Sequence, residues 1–424
     1  MRHLIALAAR SAWNRRAALS LTVLAIALSV LMLLGVERLR QQVRDSFEQS
    51  VSGADLIVGA RGSPLQLMLY SVFRIGEATH NMAWHSVQAL AANPAVAWVI
   101  PLSLGDSHRG YPVLATSPDY FKHFRYGDRR TLRLAEGRPF ADGTEGVFDA
   151  VLGAEVAAAL GYRLDSRIAL SHGAGETGLA DHADKPFRVV GILARTGTPV
   201  DNTVHIGLPG MEAIHLDWQG GAPIPGLRIP AGYVQKFDLT PKTVTAAILG
   251  LESRAAVFAV QRAVNDYRAE PLMAVLPGVA LSQLWQVVGY GEKTLLAVSA
   301  LVVVVGLAGL VAVILAGLNE RRRELAILRS VGARPRDILI LLTFEGVGLT
   351  ALGALAGLAL LTGLSFVAGP VIEARWGVSL TAAAVSASEL RLLAGVVGVG
   401  LLASLLPAWR AYRLSLADGL TPRI

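Results

Sequence analysis

The stretch that decides the reading is Asn319–Asp337, NERRRELAILRSVGARPRD. It lies between Leu295–Leu318, which holds no charged residue, and Ile338–Gly369, whose one charge is Glu345. A dense basic segment between two such apolar runs reads as the cytoplasmic turn joining two transmembrane helices. Two further runs lie outward of it, Ala17–Val36 and Leu390–Trp409. Arg2, Arg10, Arg15 and Arg16 precede the first run, and Arg410, Arg413 and Arg423 follow the last. The excess of arginine on these flanks predicts that both termini and the connector face the cytoplasm. A cleaved signal peptide has an apolar core of about 7–15 residues. Ala17–Val36 is longer and is followed by Glu37, Arg38 and Arg40, so a retained anchor is expected.

Composition agrees with a membrane protein. Hydrophobic residues make up 53% of the chain, charged residues only 17%, and mean hydropathy is +0.48. The formal charge of +7 sits largely at predicted helix ends, where topology accounts for it, so no nucleic-acid partner is expected. With no cysteine, disulfides and thiolate metal sites are excluded.

The expected fold is an α-helical membrane protein with four transmembrane helices. An α+β extracytoplasmic domain is inserted between the first and second helices. The predicted segments are 1–36 (cytoplasmic start and first span), 37–290 (external domain with helical stalks), 291–318 (second span), 319–337 (connector) and 338–424 (third and fourth spans with a cytoplasmic tail). Val36, Leu39, Val43 and Phe47 recur at helical steps, so Glu37–Ser50 should extend the first span outward, with Leu281–Tyr290 leading into the second. Within the insert, Asp55–Val58, Trp98–Pro101, Phe187–Leu193 and Val204–Ile206 read as strands, and Ala150–Leu160 and Ala255–Tyr267 as helices. Gly220–Gly226 marks a flexible junction between two lobes.

Few residues suggest chemistry. The insert contains His80, His85, His108, His123, His172, His182, His205 and His215, none at a strong metal-ligand spacing. His172–His182, with Asp181 and Asp184 close in sequence, is the best local cluster, yet no metal site is assigned. His172–Gly178 and Gly289–Thr294 fail the phosphate-loop pattern, and hydrolase and metalloprotease motifs are lacking. No catalytic residue and no cofactor of this chain are expected. Glu345, the acidic residue inside the third span, and Gly353 and Gly357, a G-x-x-x-G, are the intramembrane and helix-packing candidates.

That leaves the connector. Leu318, Leu325, Leu328 and Val331 share one helical stripe, flanked by Arg321, Arg322, Arg323 and Arg329, and Gly332 and Pro335 end the helix. Two readings stand equally: a short helix docking into a groove on a cytoplasmic partner, or positive-inside arginines beside an interfacial helix.

The run ERRRELAILRSVGARPRDILILLTFEG resembles the signature of the FtsX-like permease family, the membrane subunits of MacB-type (type VII) ABC transporters. Arg321–Arg329, Val331–Ala333 and Glu345 follow its pattern in order. Gly137–Phe140, Val151–Ala157 and Val189–Leu193 are similar to phrases of the MacB-like periplasmic core domain. The resemblance implies a non-enzymatic permease in the inner membrane, paired as a homodimer with a separate cytoplasmic ATPase that holds ATP and Mg. Glu320, Arg321, Arg322, Arg323, Glu324, Leu325, Leu328, Arg329 and Gly332 would form the coupling element that seats on the ATPase. Membrane lipid and a periplasmic adaptor, lipoprotein or substrate-binding protein are the other implied partners. ATP-driven motion of the external domain would serve export or envelope extraction of a peptide, drug, lipoprotein or haem-like substrate. A signalling mechanotransducer acting on an envelope hydrolase, and a metal- or haem-responsive system, are the alternatives. Ser63–Tyr70 (SPLQLMLY) has no counterpart in this comparison.

Overall fold

The computed structural model describes residues 16–50, 53–173, 182–219, 222–320, 322–330, 332–376 and 385–413. The chain divides into two compact units, one comprising 1–42, 289–371 and 380–424, the other 43–288 and 372–379.

The first unit is built on four helices long and apolar enough to cross a membrane, with spans at Arg16–Asp45, Pro277–Leu318, Pro335–Gly369 and Ala387–Arg413. The helices that carry them run further: the first is unbroken from Arg16 to Gln49 and the second from Pro277 to Glu320. Ile26, Val30 and Leu34 of the first helix pack with Leu307, Leu310 and Ile314 of the second and with Leu349, Ala354 and Leu361 of the third. Small residues set the spacing. A Cβ added at Gly353 would fall 2.6 Å from Ile26 Cγ2, and one at Gly357 would fall 2.6 Å from the Ala27 carbonyl oxygen. Helix backbones approach this closely only where the side chain is absent. Gly400 meets Thr350 in the same way, whereas Gly395 and Gly398 have open space around them. Leu21, Val305, Phe344 and Phe366 point outward and are well exposed, as suits a surface bathed in lipid.

The second unit is an α+β domain around one mixed sheet. Its main strands are β1 (Leu56–Ala60), β2 (Val96–His108), β3 (Tyr111–Thr116), β4 (Leu134–Gly137), β5 (Asp149–Leu152), β6 (Phe187–Leu193), β7 (Val204–Gly207), β8 (Ala246–Leu251) and β9 (Leu272–Val275). Their order across the sheet is β9-β1-β8-β2-β3-β7-β5-β6-β4. β5 and β7 are buried along their whole length, so Asp149 and His205 lie buried among the apolar residues of these strands. One large sheet, with three two-stranded pairs beside it, runs through a unit that holds together as one compact body, so the expected division into two lobes is not what the described residues form. Around Gly220–Gly226, the outer residues pair as a small hairpin, Trp218–Gln219 with Ala222–Pro223.

The expected helix Ala150–Leu160 is corrected. Ala150–Leu152 belongs to β5, and the helix is only Ala154–Leu160. The three residues are fully buried between β6 and β7, so tertiary pairing overrides alanine's helix propensity. Gly153 makes the turn possible, since a Cβ there would sit 2.3 Å from the Asp201 carbonyl oxygen. Ser63–Tyr70 also gains an explanation. Pro64–Ser71 is a helix started by Ser63, and it buries Leu67, Met68 and Tyr70 beside Ile57 of β1 and Val275 of β9. Phe47 stacks on Phe73 at 4.2 Å and meets the edge of Trp285, closing this core at the base of the unit.

Candidate functional site

Arg322–Ser330 is a separate short helix, followed by Gly332 at φ +105°, a left-handed conformation that suits glycine. Pro335 then opens the third long helix, and the Asp337 carboxylate accepts from the Arg334 backbone N–H at 2.9 Å. The short helix does not present Leu325 outward. Leu325 is only 8% exposed and, with Leu318, Ile338, Leu342, Ala408 and Ala411, forms a small core of its own bundle. Among the described side chains of this helix, Ile327, at 53% exposure, is the exposed large apolar one. Leu325 is thus already used to hold the connector down. Arg329 is half-buried. Arg321 and Val331 lie outside the described residues, as do the side chains of Glu320, Arg322, Arg323, Glu324 and Leu328. Glu345 is half-buried within the third helix, beside the turn that carries Gly346.

A polar cluster in the same unit was not singled out from the sequence. Arg38 Nε donates to Glu389 Oε1 at 2.7 Å, with both side chains almost fully buried. Glu37 accepts from Arg40 Nε at 2.9 Å and from Gln41 Nε2 at 2.7 Å, and Arg40 reaches Glu292 at 3.6 Å. The first helix is thereby tied to the second and the fourth. The sequence signal was present, charges just after the first span and just before the fourth, but it reads equally well as topology.

The sheet domain holds a second group. Asp106 lies on β2 where the register against β3 shifts between Leu104 and Ser107, a bulge that re-aims the side chain. The two-residue strand Ser171–His172 pairs with β2 and sets His172 opposite Asp106. His172 Nδ1 is 3.0 Å from Asp106 Oδ1. His215 closes the helix Leu208–His215 and brings Nε2 within 3.3 Å of His172 Nδ1 and 3.6 Å of Asp106 Oδ1. His182 completes the set: one ligand atom from each of the four residues lies within 4.8 Å of all the others. Asp181 falls outside the described residues, and Asp184 pairs with Arg228 at 3.6 Å rather than joining the group.

The neighbourhood sets the charge states. The hydrogen bond that His172 donates to the Asp106 carboxylate holds its pKa above the ordinary value. Burial pushes His182 down to about 4, with His215 beside it adding to the shift. Lys185 and Asp217 form a fully buried ion pair at 2.5 Å that pins the turn after His182 to the end of the helix carrying His215. Trp218 packs on His182 with ring centroids 4.3 Å apart.

Known proteins place this arrangement. The family model described as MacB-like periplasmic core domain matches residues 19–267, and that described as FtsX-like permease C-terminal matches 296–416. The chain belongs to the FtsX/MacB-type permease family. Two family relatives bear the name macrolide export ATP-binding/permease protein MacB. The protein from Azoarcus sp. is 25% identical over 354 residues, covering 80% of this chain and 48% of its own length. The protein from Syntrophobacter fumaroxidans is 33% identical over 123 residues, covering 29% of this chain and 16% of its own length. The chain thus spans about half the length of these relatives or less. The crystal structure of the periplasmic region of MacB from Actinobacillus actinomycetemcomitans aligns over 56% of this chain and 97% of that one, at 10% identity and a TM-score of 0.33. The permease match holds the connector, the third and fourth long helices and the second from residue 296 onward, and the core-domain match begins within the first long helix and holds all four residues of the histidine cluster.

Proposed function

We propose that this chain is the permease subunit of an ATP-dependent inner-membrane transporter, with ATP and Mg bound by a separate cytoplasmic ATPase subunit. The observation that carries the proposal is the coincidence of the FtsX-like permease match, 296–416, with a four-helix unit whose connector puts an isoleucine on its outer face. The positive-inside bias of Arg10, Arg15, Arg16, the 319–337 connector and the tail supports a cytoplasmic position for the connector and both termini. The sheet domain is then periplasmic.

In this reading the short helix Arg322–Ser330 seats on the ATPase, and two permeases come together as the paired ATPases close. The helices Arg16–Gln49 and Pro277–Glu320 each cross the boundary between the two compact units without a break, which supports transmission of that movement to the external domain. Such motion serves export or extraction of a substrate at the outer face. The relatives named for macrolide export make a drug-like substrate one member of a set that includes peptides, lipoproteins and haem.

The test is affinity purification of the chain from its native membrane in mild detergent, followed by mass spectrometry. Recovery of a Walker-motif ATPase, together with a periplasmic adaptor or lipoprotein, is the expected result. Recovery of the chain alone even after cross-linking refutes the proposal. An ATPase recovered together with an envelope hydrolase, in a strain with no export defect, replaces transport by mechanical signalling.

A further inference from the structure

We propose that Asp106, His172, His182 and His215 bind one divalent transition-metal ion, zinc in the first instance. Tetrahedral zinc with bonds of about 2.0–2.1 Å places its ligand atoms roughly 3.3–3.4 Å apart. The separations among Asp106 Oδ1, His172 Nδ1 and His215 Nε2 are 3.0, 3.3 and 3.6 Å, so three donors already stand near three corners of such a tetrahedron.

The hydrogen-bond pattern points the same way. His215 Nδ1 lies 2.8 Å from the Met211 carbonyl oxygen, which can only accept. The proton of the neutral ring is therefore on Nδ1, and Nε2 directs a lone pair at the cluster. Metal-ligating histidines are oriented in this way by a backbone carbonyl behind them. That lone pair faces Asp106 Oδ1, also an acceptor, and the single Nδ1 proton of a neutral His172 cannot serve both. A cation among the three resolves the conflict.

Three further atoms ask for a partner. His182 is 1% exposed, and among the described residues neither of its ring nitrogens is hydrogen-bonded; the same holds for Asp106 Oδ2. Buried polar groups without partners are few in folded proteins, and an ion or water is the usual explanation. The scaffold is stiff where it needs to be. The β2 bulge aims Asp106, the Lys185–Asp217 pair fixes the turn after His182, and Trp218 backs its ring. A cavity of about 360 Å³, lined by Tyr70, Glu77, Asp106 and His172, gives the ion a way in.

The donor set defines the ligand class. Three imidazoles and one carboxylate, without sulfur, suit borderline ions such as zinc more than calcium or magnesium, which take all-oxygen shells. Four protein ligands fill a tetrahedral shell, so the ion is retained rather than presenting a water for hydrolysis. Its effect is to clip Ser171–His172 and His182 to the helix Leu208–His215 and to β2.

The experiment uses the full chain in detergent with a histidine-free affinity tag. Protein stripped with a chelator is dialysed against zinc, and the retained metal is counted by mass spectrometry. Cobalt replaces zinc in a parallel sample, where a tetrahedral site gives intense visible bands. The expected result is one zinc per chain and tetrahedral cobalt bands. His182→Ala and Asp106→Asn should each weaken zinc binding by about 100-fold or more, since even outer-shell changes at metal sites reach that size. His80→Ala, an exposed histidine elsewhere, should leave it unchanged. Circular dichroism of the metal-free proteins separates lost ligation from lost folding, and His172→Asn provides a second, milder ligand deletion. Equal zinc retention in wild type and all three ligand variants overturns the proposal. So does a wild-type chain that holds no zinc and whose histidines merely titrate, for the cluster is then a proton-sharing network.

Discussion

If the connector helix docks on an ATPase, its two apolar faces should respond to mutation in opposite ways. Ile327 is 53% exposed, and fully burying an isoleucine is worth about 1.5–3 kcal/mol. Covering the exposed half on docking is then worth about 1–1.5 kcal/mol, or roughly 5–12-fold in affinity. Ile327→Ala should therefore weaken the ATPase by about tenfold while shifting permease stability by no more than about 0.5 kcal/mol. Ile327→Asp should weaken it further, because docking would bury a carboxylate. Leu325 behaves inversely. It is enclosed by Leu318, Ile338, Leu342, Ala408 and Ala411, so Leu325→Ala removes a buried side chain at a cost of about 2–5 kcal/mol. Its signature is a lower unfolding temperature in detergent, with loss of ATPase only as a consequence. The assay is paired: surface-immobilised permease titrated with the ATPase recovered from native membranes, and thermal unfolding of the same preparations. Should both Ile327 variants bind within about twofold of wild type, the outward face of this helix is not the docking face.

Three further outcomes follow from the same structure. His205 is fully buried and pushed down to about 3 by that burial, with Arg74 nearby reinforcing it. A base depressed on folding gives stability that is whole above its unfolded value near 6.5 and is lost as pH falls from there toward 3. Between pH 6.5 and 5 the loss is about 2 kcal/mol, and His205→Phe, which keeps the packing on Tyr120, should flatten the fall in unfolding temperature over that range. Gly353→Ala should destabilise the bundle by about 1–3 kcal/mol through its clash with Ile26, and Ile26→Ala in the same chain should restore detergent stability; no restoration would mean the glycine acts elsewhere. Breaking the buried Arg38–Glu389 pair with Arg38→Met or Glu389→Gln alone should cost about 3–5 kcal/mol, whereas replacing both by methionine should recover most of it in a double-mutant thermal cycle.

The spans were legible because their signal is local: a run of apolar residues bounded by arginine needs no tertiary knowledge to interpret. Strands such as Phe187–Leu193 were legible for the same reason, with β-branched residues bracketed by breakers. Ala150–Leu152 was not, because alanine and leucine favour helix in isolation and only the strands on either side make this segment extended. The facing of Leu325 was hidden by a related ambiguity. A helical stripe tells which residues share a side but not whether that side meets a partner or the chain's own bundle. Here the facing is decided by Ala408 and Ala411, more than eighty residues away.

The histidine cluster shows the limit most sharply, and its construction explains why. Metal motifs are readable when ligands recur at one helix turn or across one tight loop. Here the four donors come from a bulged strand, a two-residue strand, a turn and the end of a helix, spread from Asp106 to His215. Proximity in sequence singled out His172 and His182 but paired them with Asp181 and Asp184. Asp184 is drawn away by Arg228, and the carboxylate that faces the ring is Asp106, brought there by the pairing of His172 with β2. His215 carried no signal at all beyond being a histidine at a helix end. What distinguishes it is the Met211 carbonyl one turn earlier, which fixes the tautomer and leaves Nε2 free to bind. The pattern a sequence would have to show is thus a bulge, a cross-strand register and a tautomer, and none of these is a spacing.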